Sequence, residues 1–312
     1  MNDSQGDATV ATPPLGARKA LLTAPGEFLE WLWDAQGKLI HTQDFTVLQP
    51  WAIAAIAAMA RQEMRKAPIL DFDYHSSVSR FAHSLGLDNL IEGEPPEGYL
   101  ESDRTVKLRR FNDFESIEPL ASDISELVIP DSMIASNEYF DAIETRRSIY
   151  YVMVELMRNV IQHSGDGLGG VIISQSMDEG YGYSENPCIQ ISVADSGIGI
   201  YESISRMHEE VTSPEVALKK SILPYHSGSF PKWEKGTSQN AGLGLFFVSE
   251  IVKLTGGRML LSSRGSSLRI EGDKEGKGNN RTSLHNYGYR GTLVVFEILK
   301  KGVGDHDSII NK

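Results

Sequence analysis

The sequence predicts an α/β protein in two parts, and three observations carry that expectation. Helical and strand-like patterns alternate along most of the chain. Pro130 separates two such alternating stretches. A polar interval from Tyr201 to Asn240, with scattered Gly, Pro, Ser and Lys, interrupts the second stretch without ending it. The expected organisation is a tail at 1–24, a smaller N-terminal α/β domain at 25–128, a larger α/β domain at 130–303 and a tail at 304–312.

Composition fits that size and class. The chain has 312 residues, enough for about two domains. Hydrophobic content of 40% and charged content of 23% are those of a soluble globular protein. A formal net charge of -12 disfavours a broad nucleic-acid surface. The single cysteine, Cys188, excludes a disulfide framework within the chain and points to a reducing, cytoplasmic setting. The longest apolar stretch, Trp51 to Ala60, falls well short of the roughly 20 residues of a membrane-spanning helix. The first 24 residues lack the layout of a signal peptide.

In the N-terminal part, Phe28–Trp33 has strand character and Gly37–Thr42 is a partner for it across a turn. Pro50 suits the first turn of a helix reaching about Lys66. Ala67–Asp73 is a short apolar strand. Ser76 can cap a helix that runs to Leu85 and stops at Gly86. Thr105–Phe111 reads as a strand and Phe114–Leu127 as a helix.

Beyond Pro130 the pattern is helical from Ala135 to His163. Ile149, Met153, Leu156 and Val160 repeat at helical spacing and form one buried stripe. Gly170–Gln175 and Cys188–Ala194 are strands. A helix opens after Gly242 and runs to about Leu254, stopped by Gly256-Gly257. Arg258–Ser263, Leu268–Glu271 and Thr292–Leu299 read as antiparallel strands. Residues 272–290, rich in Gly, Asn, Lys and Ser, read as a mobile hairpin excursion.

Three short segments carry chemistry. Glu155, Asn159 and His163 fall at i, i+4 and i+8, on one strip of one helix bordering the apolar stripe. A carboxylate there can orient and deprotonate a nucleophile. An amide oxygen one turn on is a hard donor that suits magnesium. Asp195 ends a strand and precedes Ser-Gly197-Ile-Gly199. A buried carboxylate can accept a hydrogen bond from an exocyclic amino group, and the glycines admit close backbone approach. Gly242-Leu243-Gly244-Leu245 runs straight into an apolar helix, whose free N-terminal amides form an anion site. Taken singly, these are also an amphipathic helix edge, an ordinary turn and a common glycine loop.

Together and in order, the segments resemble the N, G1 and G2 boxes of the GHKL superfamily, the gyrase–Hsp90–histidine-kinase–MutL ATPases. Arg290-Gly291-Thr292 resembles its final Gly-Thr box. The match covers about residues 135–300. It implies a two-layer α/β sandwich of Bergerat type, with a mixed sheet and helices on one face. It implies ATP and magnesium as cofactors: Asp195 on adenine with Gly197 and Gly199 beside it, Asn159 on the metal with waters, Glu155 as general base. Gly242, Leu243, Gly244 and Leu245 would meet the phosphates and Thr292 would support the base, with His163 among the ATP-binding positions. Residues 201–240 match the ATP lid. In it Lys232, Lys235 and His226 are candidates to reach phosphates, and read equally as solvated residues.

The resemblance covers different functions. Transfer of the γ-phosphate to a protein, or ATP hydrolysis, by a regulator similar to anti-sigma-type serine kinases is the first reading. His41, His75 and His83 lack the acidic neighbour and coiled-coil setting of an autophosphorylating kinase. The element order of residues 25–128 resembles STAS-like domains, which suits a protein partner bound through that part, and the superfamily also admits a homodimer. An ATP-gated clamp is the second reading. Its usual transducer domain is not expected here, because the chain ends at Lys312, shortly after the last strand. A non-catalytic nucleotide-binding module is the third, and Glu155 argues against it.

Overall fold

The computed structural model describes residues 9–60, 69–88, 104–135, 142–165, 167–180, 186–224, 232–234, 237–239, 243–275 and 277–300. Its centre is a seven-stranded sheet in the order β12-β11-β10-β13-β7-β6-β5. The strands are β5 (Thr105–Phe111), β6 (Gly170–Met177), β7 (Cys188–Asp195), β10 (Arg258–Ser263), β11 (Ser266–Glu271), β12 (Arg281–His285) and β13 (Thr292–Leu299). The Bergerat-type sandwich was expected to hold a mixed sheet, but every neighbouring pair in this one runs antiparallel. Short connections such as the two-residue turn between β10 and β11 allow only that arrangement. Among the described residues, parallel pairing occurs in two small sheets, β1 (Lys19–Ala20) with β3 (Val47–Leu48) and β2 (Leu39–His41) with β4 (Ile69–Asp71), and in an isolated bridge between Val10 and Leu39. A further hairpin joins β8 (Lys232–Glu234) to β9 (Thr237–Gln239).

The helices are α1 (Gly26–Asp34), α2 (Pro50–Met59), α3 (Ser77–Ser84), α4 (Ile117–Val128), α5 (Asp131–Ala135), α6 (Ala142–His163), α7 (Gly199–Ile204), α8 (Pro214–Ser221) and α9 (Gly244–Thr255). On one face of the sheet, α4, α6 and α9 form the second layer of the sandwich. The stripe Ile149, Met153, Leu156 and Val160 is buried there against Ile172, Ile191, Val294 and Phe296. Cys188 is buried at the start of β7 and forms no disulfide.

The opposite face is covered as well, although helices were expected on one face only. There α2 lies across β6 and β7, and every one of its residues is buried. A helix apolar all round needs cover on all sides. The sheet supplies one side through Val171, Ile173, Leu293 and Val295. Phe28, Leu29, Trp31 and Phe45 supply the other. The Phe28 and Trp51 rings meet edge-on at 5.1 Å, as do Trp31 and Phe45 at 5.2 Å. Polar contacts fasten α2 in place. Gln190 Oε1 accepts from the Trp51 amide at 3.1 Å, and Gln190 Nε2 donates to Glu297 Oε1 at 3.1 Å. Tyr289 Oη donates to the Ala55 carbonyl at 3.2 Å, and Ser196 Oγ to the Ala58 carbonyl at 2.9 Å.

Several local expectations differ from the structure. Phe28–Trp33 is helical, because Phe28, Leu29, Trp31 and Leu32 bury one helix face against α2 and its neighbours. Strand β2 therefore pairs with β4 and not with that segment. The expected extension of α2 to Lys66 lies outside the described residues. Strand β5 and helix α4, assigned by sequence to the N-terminal unit, belong to the main sheet and its core. Among the described residues, the rest of that unit forms α1–α3, a 3-10 turn at Thr42–Asp44 and the strands of the two-stranded pairs, with no larger sheet of its own, and β1 of those pairs comes from the segment assigned to a tail. Residues 272–290 carry β12, which pairs with β11 and adds a strand to the sheet. Asp273 braces the turn before it by accepting from the Glu275 and Asn279 amides at 3.0 Å each.

If α2 is a shared core element, Trp51→Ala should cost about 3–5 kcal/mol. Denaturant unfolding, followed by tryptophan fluorescence and far-UV circular dichroism, should show one lowered transition. Two separate transitions, with the second unmoved, would mean the layers fold independently.

Candidate active site

One cleft brings six of the sequence-selected residues together. Asn159 and His163 on α6, Asp195 at the end of β7, Gly199 opening α7, Leu245 on α9 and Thr292 opening β13 all line it. Its volume, open mouth and the solvent in it included, is about 750 Å³.

Strand register assembles the floor. Thr292 stands opposite Asp195 on one side, and Gly170 stands opposite it on the other. Gly291 is required by this arrangement: a Cβ there would lie 2.0 Å from the Asp195 carbonyl oxygen. Asp195 is only 3% exposed, and its Oδ1 accepts from the Gly197 amide at 2.8 Å. That bond folds the chain into an Asx turn. The turn rests on the end of α6, where the Ile198 amide donates to the Ser164 carbonyl at 2.8 Å. Gly199 has φ of +82°, which favours glycine.

The rim is made where α6 meets α9. A Cβ on Gly244 would stand 3.0 Å from Glu155 Cβ and 3.7 Å from Asn159 Nδ2. The start of α9 thus lies directly against the Glu155–Asn159 strip. Leu243 at its N-cap makes no side-chain cap bond, so no side chain of that residue satisfies the first-turn amides. Glu155 borders the cleft without lining it. Burial raises its pKa above the ordinary carboxylate value, and Arg158, 3.9 Å away, opposes the shift. Burial lowers the pKa of His163, and its buried Nε2 has no hydrogen-bond partner among the described residues. Lys235, Gly242 and His226 lie outside the described residues, and of Lys232 only the backbone is described. Gly197 supports the turn from behind, packed on Ser164, and does not line the cleft.

The sequence reading missed the hydroxyls of Ser164, Ser203 and Ser221 in the cleft wall. Ser221 comes from α8, inside the interval assigned to a lid. Its helix opens with Ser213 Oγ accepting from the Val216 amide at 3.3 Å. The Ser213-Pro214 cap was a legible signal for that helix. Among the described residues no group of three His, Cys, Asp or Glu could hold a metal ion unaided. None of the described helices is long and apolar enough to cross a membrane.

The donor set fits a nucleotide with magnesium. An orphaned ring nitrogen and a nearly buried carboxylate face the cleft, an amide oxygen offers a hard ligand, and free helix amides suit phosphate. A family model described as histidine kinase-, DNA gyrase B- and HSP90-like ATPase matches residues 144–299, half of the chain. Comparison with curated proteins and with solved structures gave no match. The chain belongs to the histidine kinase-, DNA gyrase B- and HSP90-like ATPases, a family of ATP-binding domains.

Proposed function

We propose that the protein binds ATP with magnesium in this cleft and either hydrolyses it or transfers its γ-phosphate to a protein partner. The observation that carries this reading is the convergence of Asn159, Asp195, Thr292 and the start of α9 on one cleft, with Glu155 at its rim. The Asp195 carboxylate accepts a hydrogen bond from the adenine amino group. Thr292, its cross-strand neighbour, supports the base. His163, kept neutral by burial, offers Nε2 to the ligand. The first-turn amides of α9, with Gly244 and Leu245, receive phosphate oxygens. The Asn159 amide oxygen would hold magnesium, which neutralises phosphate charge when bound. Glu155 takes the proton from the attacking water or hydroxyl, and its raised pKa makes it a better base near neutrality.

Glu155→Gln should keep ATP binding and lose roughly 10²–10⁴-fold in turnover. Because the folded pKa of Glu155 is raised, its stabilising contribution is full below the unfolded pKa and is lost as pH rises through the folded one. The Gln variant should therefore be at least as stable as wild type at pH 7. Wild-type turnover should fall with acid at a pH above the ordinary carboxylate range. With γ-labelled ATP, label on the protein or an added partner indicates a kinase, and free phosphate alone an ATPase. Unchanged turnover in Glu155→Gln sinks the base assignment. Asn159→Ala should reduce ATP affinity in magnesium to the value measured with chelator, checked by calorimetry.

A further inference from the structure

The connection between β10 and β11 is the pair Arg264-Gly265, set between the cross-strand partners Ser263 and Ser266. Both turn residues have positive φ, +46° and +86°, which makes a type I′ hairpin. Arg264 is the one non-glycine residue with positive φ among the described residues. Asparagine or glycine adopts that conformation with less strain than a long side chain does.

The arginine side chain supplies what those residues lack. Its Nε donates to the Ile198 carbonyl at 3.0 Å and its Nη2 to the Gly197 carbonyl at 3.0 Å. Both carbonyls belong to the turn that follows Asp195. Ser263 grips the same turn two residues further on: its buried Oγ accepts from the Ile200 amide at 3.0 Å and donates to the Gly291 carbonyl at 2.9 Å. The Arg264 amide also donates to the Tyr289 carbonyl at 2.7 Å. One hairpin tip therefore joins the segment after Asp195 to the segment before Thr292. Neither Ser263 nor Arg264 lines the cleft.

We infer that Ser263 and Arg264 are positioning residues for base recognition. They fix the backbone just after Asp195 and just before Thr292, and so set the aim of the carboxylate toward an adenine amino group. The inference rests on the ATP reading of the cleft.

The test uses the full chain and the variant Arg264→Asn, which suits the turn and removes both guanidinium bonds. Calorimetric titrations with ATP and GTP in magnesium are paired with thermal unfolding without nucleotide. The variant should melt no lower than wild type, bind ATP about tenfold more weakly and show a smaller preference for ATP over GTP. Wild-type affinity and preference in the variant would overturn the inference. So would equal losses for ATP and GTP, or a loss accompanied by a lowered melting temperature, since those place the effect on the phosphates or on the fold. Failure of the wild type to bind either nucleotide would overturn the ATP reading itself, and this inference with it.

Discussion

The site depends on one register, the pairing of Thr292 with Asp195 where β13 meets β7. The two strands approach so closely at this end that Gly291 has no room for a Cβ. Everything around the proposed base pocket follows from that contact. It buries the Asp195 carboxylate and places the Thr292 side chain beside it. It also brings the Gly197–Gly199 turn within reach of the β10–β11 tip. A one-residue slip would turn Thr292 to the opposite face of the sheet. The long β13 ladder, buried on both faces, opposes such a slip.

The same sheet couples the site to the N-terminal layer. Ser196, the residue after Asp195, holds the Ala58 carbonyl, and Tyr289 holds that of Ala55. Arg290 stacks over the Trp33 ring at 4.6 Å and donates to the Trp33 carbonyl at 3.1 Å. Both segments that flank the Asp195–Thr292 pair are therefore bonded to the layer beneath. Burial acts in one sense on the two titrating groups of α6, raising Glu155 and lowering His163, and so disfavours charge on both.

The cleft that gathers these residues was legible in the sequence wherever the signal was local. An alternating strand ending in Asp195, two glycines just beyond it, and a polar strip along an apolar helix each imply geometry within a few residues. The N-terminal layer was less legible because its determinants are tertiary. The aromatic content of Phe28–Trp33 suggests a strand, yet packing against α2 selects a helix. One sign of the second layer was present. Val171-Ile-Ile173 and Leu293-Val-Val-Phe296 are continuous apolar runs, the mark of strands covered on both faces. The all-round apolarity of Trp51–Ala60 carried the same message, since nothing short of burial on every side accommodates it.

In the proposed function, Asp195 recognises adenine from the floor of this cleft. The most direct test is calorimetric titration of Mg-ATP into the full chain and into Asp195→Asn. Asparagine preserves an acceptor for the Gly197 amide but can turn an NH₂ group toward the adenine amino group, where two donors oppose. The expected result is saturable one-site binding to the wild type and loss of most of that affinity in a variant that remains folded. Equal affinity in the two proteins would contradict it.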